Sequence, residues 1–325
     1  MRMRCMLIDN PGPQSRLILS EQDIPVCDKE QILVHVKATA INRADLMQRQ
    51  GKYPTPPGES IIPGLEVAGE VVAVGADVKR FKKGDRVYGL VASGGYADYC
   101  CIHQSLAECL PEDWDFTYAV ALPEALMTAH ATVFLLGELK LNQILLIHAA
   151  GSGISCLAIQ MANHLGAKVI TTASNEEKME KAKQLLGASL IINYKKDDFE
   201  AVLGEQSVNV IVDFIGGPYF PKHLRLLKSQ GNLVQIACMQ GHLTECNLAL
   251  LMHKRLQIKG FVLRPQSIME KSALWKSAQQ QWSTSLLNKH IKPVIDSEFK
   301  FEALEQAHAR MQNSEHFGKI VIRLD

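Results

Sequence analysis

The 325-residue sequence lacks a charge imbalance: 35 Lys and Arg face 34 Asp and Glu, a net charge of +1. A chain this neutral carries no electrostatic footprint for nucleic acid or for an anionic membrane surface. The cluster Lys79-Arg80-Phe81-Lys82-Lys83 precedes a Gly-Asp turn and reads as a solvated loop. Eight cysteines are present, but none forms C-x-x-C and none sits with histidines at zinc spacing. They read as small, buried or partly buried thiols of a reducing cytosol. No apolar run reads as long enough to cross a bilayer. At the start, Asp9 and Pro11 interrupt the basic-then-apolar stretch before it reaches the length of a signal-peptide core. A cytoplasmic location is the expectation. At 47% hydrophobic and 21% charged, the composition also excludes a disordered chain, a coiled coil and a collagen-like repeat.

What is present divides into two textures, and the length suggests two domains. Residues 1–125 read as short β segments, at 32–38, 67–74, 86–91 and 96–100, separated by dense Gly and Pro punctuation such as Tyr53-Pro54-Thr55-Pro56-Pro57-Gly58. From residue 126, continuous apolar runs alternate with helical patterns. Strands are expected at 144–149, 168–172, 189–192, 208–215, 232–236 and 256–262, with helices at 155–165 and 176–186. Runs buried on both faces and joined by helices predict an α/β, doubly wound parallel sheet. Both helices close on Leu-Gly-Ala, at 165–167 and 186–188, which suits a left-handed glycine after the last turn. Residues 266–325 are expected to return to the first domain with a helix and two strands.

The segment Ala150-Gly151-Ser152-Gly153-Ile154-Ser155 lies between a strand and a helix, where a dinucleotide pyrophosphate is held by backbone N–H groups and the helix N-terminus. Ala150, Ser152 and Ser155 occupy the three places usually filled by glycine, so the strict pattern is broken. Ser155 is expected to loosen the packing of helix on strand. The following strand ends Thr172-Ala173-Ser174, without the acid that binds an NAD ribose. Ser174 and Lys178 suit the 2′-phosphate of NADPH. Ser174-Asn175-Glu176-Glu177 also fits a capping box, and Glu176 or Glu177 would favour NAD. His148 reads as a satisfied core histidine, and Trp275 and Trp282 as helix packing.

These residues bring a family into view. The sequence resembles the zinc-free quinone oxidoreductases of the medium-chain dehydrogenase/reductase superfamily, with most likeness to the p53-inducible branch. The resemblance runs through Ile41-Asn42-Arg43-Ala44-Asp45-Leu46-Met47, Pro63-Gly64-Leu65-Glu66, Lys83-Gly84-Asp85-Arg86-Val87, Pro123-Glu124-Ala125-Leu126-Met127-Thr128, Asp213-Phe214-Ile215-Gly216-Gly217 and Gly318-Lys319-Ile320-Val321. It implies a GroES-like β-rich catalytic domain (1–125, completed by 266–325) and a Rossmann domain (126–265) binding NADPH. It also implies a homodimer. At matching positions it places Asn42, Asp45 and Tyr53 on the substrate side. Met127 and Thr128 would lie by the nicotinamide, and Gly151, Ser152, Gly153 and Ile154 on the pyrophosphate. Ser174, Lys178 and Tyr194 would surround the 2′-phosphate. Phe214, Ile215, Phe261 and Leu263 would pack on the rings, and Lys319 would approach from the tail.

Where zinc-dependent relatives supply Cys and His ligands, this sequence has Asn42 and Leu65, which cannot make a three-ligand zinc site. Without a Lewis acid, the acceptor must take a hydride unaided, as small-molecule quinones do. Tyr53 and Asn42 would hydrogen-bond the developing oxyanion, with Tyr53 or water as proton source. Asp45 could pair with Arg43 or Arg49, or orient Tyr53. An enoyl-thioester reductase, and an NADPH-binding protein with little turnover, are the alternative readings.

Overall fold

The computed structural model describes residues 1–324. The chain divides into two compact units: residues 1–124, 264–279 and 293–325 form the first, and residues 125–263 and 280–292 the second. In the first unit, β1 (Arg2–Asp9) and β2 (Arg16–Asp23) make an antiparallel hairpin. Next come β3 (Gln31–Ala40), the short helix α1 (Arg43–Arg49), β4 (Glu66–Val74), β5 (Arg86–Leu90), β6 (Tyr99–His103) and β7 (Ala107–Cys109). The alternating burial of β3, with Ile32, Val34, Val36 and Ala38 fully enclosed, is the period of a strand with one face in a core.

The run after β7 overturns one expectation. Residues Phe116–Leu136 are long and apolar enough to span a bilayer by length and composition. They form α2 (Phe116–Val120), α3 (Pro123–Ala129) and a π-helical continuation over His130–Leu136, where the Gly137 N–H donates to the Thr132 carbonyl. An 18-residue window of the segment is 78% buried inside the protein, so its apolarity is accounted for by core packing.

The second unit is a six-stranded, all-parallel sheet. Its strands are β8 (Ile144–Ile147), β9 (Lys168–Ala173), β10 (Leu190–Asn193), β11 (Val208–Asp213), β12 (Leu227–Gln235) and β13 (Gln257–Gly260). The spatial order β10-β9-β8-β11-β12-β13 reverses between β8 and β11, the doubly wound arrangement with its ligand crevice at the reversal. The connecting helices are α4 (Gly153–His164), α5 (Glu176–Leu186), α6 (Phe199–Leu203), α7 (Tyr219–Leu226) and α8 (Leu248–Lys254). Gly166 and Gly187 both adopt positive φ after α4 and α5. One face of the sheet buries Leu146, Ile170, Ile211, Leu224 and Leu233 in a shared core.

The tail comprises α9 (Ile268–Leu287), β14 (Ile295–Lys300), α10 (Leu304–Gln312) and β15 (Lys319–Arg323). β15 pairs antiparallel with β3 and parallel with β14, completing the seven-stranded sheet of the first unit. Residues 280–292 group with the second unit instead, unlike the assignment of all of 266–325 to the first. Their side chains explain it: the Trp282 indole donates to His130 Nδ1 at 3.1 Å, and Ser285 Oγ meets His164 Nε2 at 3.0 Å.

The cysteines also depart from the expectation of free thiols. Cys27 and Cys101 form a disulfide, because the β2–β3 connection runs beside β6, and Cys109, Cys238 and Cys246 are exposed.

Gly69 shows how tightly β3 and β4 approach. A Cβ there would lie 2.1 Å from the His35 carbonyl oxygen. Backbone cannot retreat as a flexible side chain can, so Gly69→Ala should destabilise the protein by about 1–3 kcal/mol. A lowered urea midpoint is expected; an unchanged midpoint would mean that the strands separate freely.

Candidate active site

In the first unit, four sequence-distant segments meet around a buried carboxylate. Glu66, fully enclosed at the start of β4, receives Lys319 Nζ at 2.5 Å and Asn42 Nδ2 at 2.8 Å on one oxygen. Its other oxygen accepts the Glu124 backbone N–H at 2.9 Å. Lys319 Nζ also donates to Asn42 Oδ1 at 2.7 Å. A buried ion pair is tolerated only when its remaining polar atoms are satisfied, and here both charges have several partners. The Asn42 amide is therefore committed to Glu66 and Lys319 rather than offered to an acceptor oxygen. Lys319, expected at the cofactor, is held by the same cluster.

Asn42 is also the residue before α1. Its backbone N–H donates to Asp45 Oδ2 at 2.8 Å, half of the reciprocal bonding that starts many helices. Asp45 is fully buried, and the Tyr96 hydroxyl donates to the same oxygen at 3.0 Å. The Tyr96 hydroxyl lies 3.1 Å from His308 Nε2 on α10. Asp45 Oδ1 and His308 Nδ1 have no hydrogen-bond partner among the described residues. With Tyr96 donating to Asp45, His308 must donate to Tyr96 from Nε2, giving a chain His308→Tyr96→Asp45. Asp45 thus pairs with neither Arg43 nor Arg49, and it hydrogen-bonds Tyr96, not Tyr53. Gly64 permits the approach: with φ +98°, a Cβ there would fall 2.6 Å from the Tyr96 ring.

Burial pushes the Asp45 carboxyl up to about 6, against the lowering effects of the Asn42 N–H, Tyr96, Lys319 and Arg264. Burial holds His308 down at about 3 and Tyr96 well above its ordinary value. Tyr53 is half-buried, its hydroxyl raised by burial, and the Arg264 guanidinium carbon stands 5.3 Å from its ring centroid. Tyr96, His308 and Arg264 escaped the sequence reading. Tyr96 follows Ser93-Gly94-Gly95, a turn that could have flagged it; nothing in the sequence marks His308 or Arg264.

Leu65, beside this cluster in sequence, offers no donor atom, and the Asn42 and Glu66 oxygens are already occupied by Lys319 and its neighbours. This donor set does not fit a zinc ion.

In the second unit, β8 runs into the small-residue turn and then α4. Ala149 takes φ +57°. Gly151, Ser152, Gly153 and Ile154 are half-exposed along the rim, and Ala150 and Ser155 are buried beneath them. Ser152 caps α4, its oxygen accepting the Ser155 N–H at 3.0 Å. Ser155 does the opposite of loosening the helix: its hydroxyl donates to the His148 carbonyl at 2.9 Å and accepts from Ser152 at 2.8 Å. The serine fastens the first turn of α4 to the end of β8. An open turn of small residues over the N-terminus of a 12-residue helix fits a dinucleotide pyrophosphate.

Ser174 and Tyr194 follow the ends of the neighbouring strands β9 and β10. Asn175, one residue beyond Ser174, is the N-cap of α5 and accepts the Lys178 N–H at 2.9 Å, so the capping role does not fall to Ser174. The acids are engaged elsewhere: Glu176 bonds Lys196 at 2.8 Å, and Glu177 bonds Lys181 at 2.7 Å. Phe261 is half-buried, while Phe214 and Leu263 are buried. Ile215 donates its N–H to Asp213. Met127 and Thr128 are buried, 0% and 4% exposed. His148 is satisfied as expected, between Thr172 Oγ1 at 3.1 Å and His223 Nε2 at 2.8 Å. Trp275 and Trp282 are buried in packing.

Comparison with known proteins agrees with both units. Residues 28–113 match the alcohol dehydrogenase GroES-like domain, and residues 153–278 the zinc-binding dehydrogenase domain. The quinone oxidoreductase of Lama guanicoe is 31% identical over 323 residues, covering 96% of this chain and 94% of that one. That of Sus scrofa is 32% identical, covering 96% and 95%. The chain belongs to the quinone oxidoreductase family of the medium-chain dehydrogenases/reductases. It is an oxidoreductase of that superfamily, built from a GroES-like unit and a Rossmann unit. The crystal structure of Escherichia coli quinone oxidoreductase complexed with NADPH superposes with a TM-score of 0.85 at 26% identity, covering 99% of this chain and 100% of that one.

The raised Asp45 carboxyl has a consequence for stability. Its folded value of about 6 lies above the ordinary carboxylate value, so the folded protein binds the proton more tightly than the unfolded chain. The contribution of Asp45 to stability is fully present below about pH 4 and is lost as pH rises through about 6, by about 3 kcal/mol in total. Asp45→Asn should flatten this part of the stability–pH curve measured by urea unfolding. A variant that keeps the wild-type slope would show that another group carries it.

Proposed function

We propose that the protein is a zinc-independent, NADPH-dependent reductase of quinones. The observation that carries this reading is the Lys319–Glu66–Asn42 cluster beside Leu65. At these positions it leaves no donor set for a catalytic zinc, so the acceptor there must be reactive enough to take a hydride without one. Quinones qualify, because reduction creates an aromatic ring.

The turn at 150–155 holds the pyrophosphate, with Gly151, Ser152, Gly153 and Ile154 offering backbone groups and the α4 terminus offering partial positive charge. Ser174, Lys178 and Tyr194 receive the 2′-phosphate. The pairing of Glu176 with Lys196 and of Glu177 with Lys181 supports this, since it lessens the negative charge that would repel a phosphate. When bound, NADPH would supply a hydride, which is two electrons with one proton, and a second proton would complete the hydroquinone. Tyr53 orients the flat acceptor by ring contact. Asp45 holds the second proton, and its carboxyl is tuned near neutrality and linked to His308 through Tyr96. Much of the rate then comes from holding two rings in register.

The test is steady-state turnover of 1,2-naphthoquinone beside crotonyl-CoA, with NADPH or NADH, in the presence of a chelator. Turnover of the quinone with NADPH that survives the chelator is expected. Preference for crotonyl-CoA, or loss of activity restored by zinc, would overturn the reading. For the cofactor, Lys178→Ala removes one charge-assisted contact and should weaken NADPH by about 10-fold or more, as read by fluorescence titration. NADH affinity should stay near wild type. Equal losses for both cofactors would remove Lys178 from the phosphate site.

A further inference from the structure

Arg264 is 5% exposed, and its Nε donates to the Ala92 carbonyl at 2.8 Å. Both terminal nitrogens, Nη1 and Nη2, are buried without a hydrogen-bond partner among the described residues. A guanidinium that is always charged, enclosed and half-unsatisfied is costly, and proteins retain such groups where a ligand completes them. Its surroundings say what kind of ligand. The Tyr53 ring lies under the guanidinium. The charges of Asp45, Glu59 and Lys271 act on the same region, and Asp45 contributes a second orphan, its unpaired Oδ1. An aromatic face, an unpaired planar fork of donors and an unpaired carboxyl oxygen therefore belong to one neighbourhood of the first unit.

We propose that Arg264 is a catalytic residue that binds the acceptor's carbonyl oxygen through Nη1 and Nη2 and stabilises the negative charge that develops there on reduction. This rests on the reductase reading above and supplies the electrophile that the missing metal would otherwise provide. Electrostatic stabilisation by preorganised donors acts strongly in such a water-poor site. The same donors would accept any anionic oxygen, including a cofactor phosphate. The nearby Glu59 carboxylate disfavours a doubly charged pyrophosphate more than a neutral quinone that becomes only singly negative.

Three readouts on Arg264→Gln and Arg264→Lys separate the sources. The first is equilibrium titration, by intrinsic fluorescence without NADPH, of 1-hydroxy-2-naphthoate, a flat ring with a carboxylate that accepts no hydride. Arg264→Gln should weaken it by about 10-fold or more. The second is kcat/KM for 1,2-naphthoquinone, expected to fall by about 100-fold, with Arg264→Lys intermediate because it keeps the charge and loses the fork. The third is NADPH affinity, expected to stay within about twofold, a change of under ~0.5 kcal/mol. A loss of NADPH affinity with probe binding intact would give Arg264 to the cofactor and overturn the proposal. So would wild-type values in all three. Should Arg264→Gln fail to fold, Arg264→Lys decides by the same probe titration: a loss supports the proposal, and wild-type affinity overturns it. If the wild-type protein does not turn over 1,2-naphthoquinone, the reductase reading fails by itself, and probe binding still judges Arg264.

Discussion

The ammonium of Lys319 locked onto the Glu66 carboxylate organises the first unit. Moving either charge out of water alone would cost several kcal/mol. The cost is offset because Glu66 collects donors from Lys319, Asn42 and Glu124, and Lys319 is shared with Asn42. These contacts tie β4, β15, the start of α1 and the start of α3 to one point. Asn42 in turn fixes Asp45, and Asp45 fixes Tyr96 and through it His308. A polar network of this kind is rigid when satisfied and expensive when broken, so the unit's chemistry and its fold share the same bonds.

The second unit solves a different problem, the presentation of backbone N–H groups at a sheet reversal. Small residues keep the turn open, and Ser155 replaces a missing glycine by bonding to the strand that precedes it. The result is a helix start held by side-chain bonds instead of by close backbone packing. A family pattern can therefore be broken in residue identity while its geometry is retained.

Much of the architecture was legible in the sequence because each unit has a distinct period. The continuous runs at 144–149 and 208–215 could only be buried strands, and Gly166 and Gly187 marked the ends of their helices. The segment 116–136 was harder, since Pro123, Glu124 and His130 mask a buried apolar helix when composition alone is read. The allegiance of residues 280–292 depends on Trp282 and Ser285 finding His130 and His164, contacts that no local pattern encodes. The same limit applies at the site. Asn42, Asp45 and Tyr53 lie in recognisable motifs, but the bonds of Asn42 to Lys319, 277 residues away, are purely tertiary. Tyr96, His308 and Arg264 become visible only when the strands are folded. The Cys27–Cys101 bond likewise depends on β3 and β6 lying side by side.

Whether the buried ion pair is the organising contact is open to direct measurement by a double-mutant cycle on Lys319→Met and Glu66→Gln, followed by urea unfolding at pH 7. Each single change should cost about 3–5 kcal/mol, because it strands the opposite charge. The double variant should lose clearly less than the sum, with a coupling of about 2 kcal/mol or more. Additive losses would contradict the account and show that the two residues contribute separately.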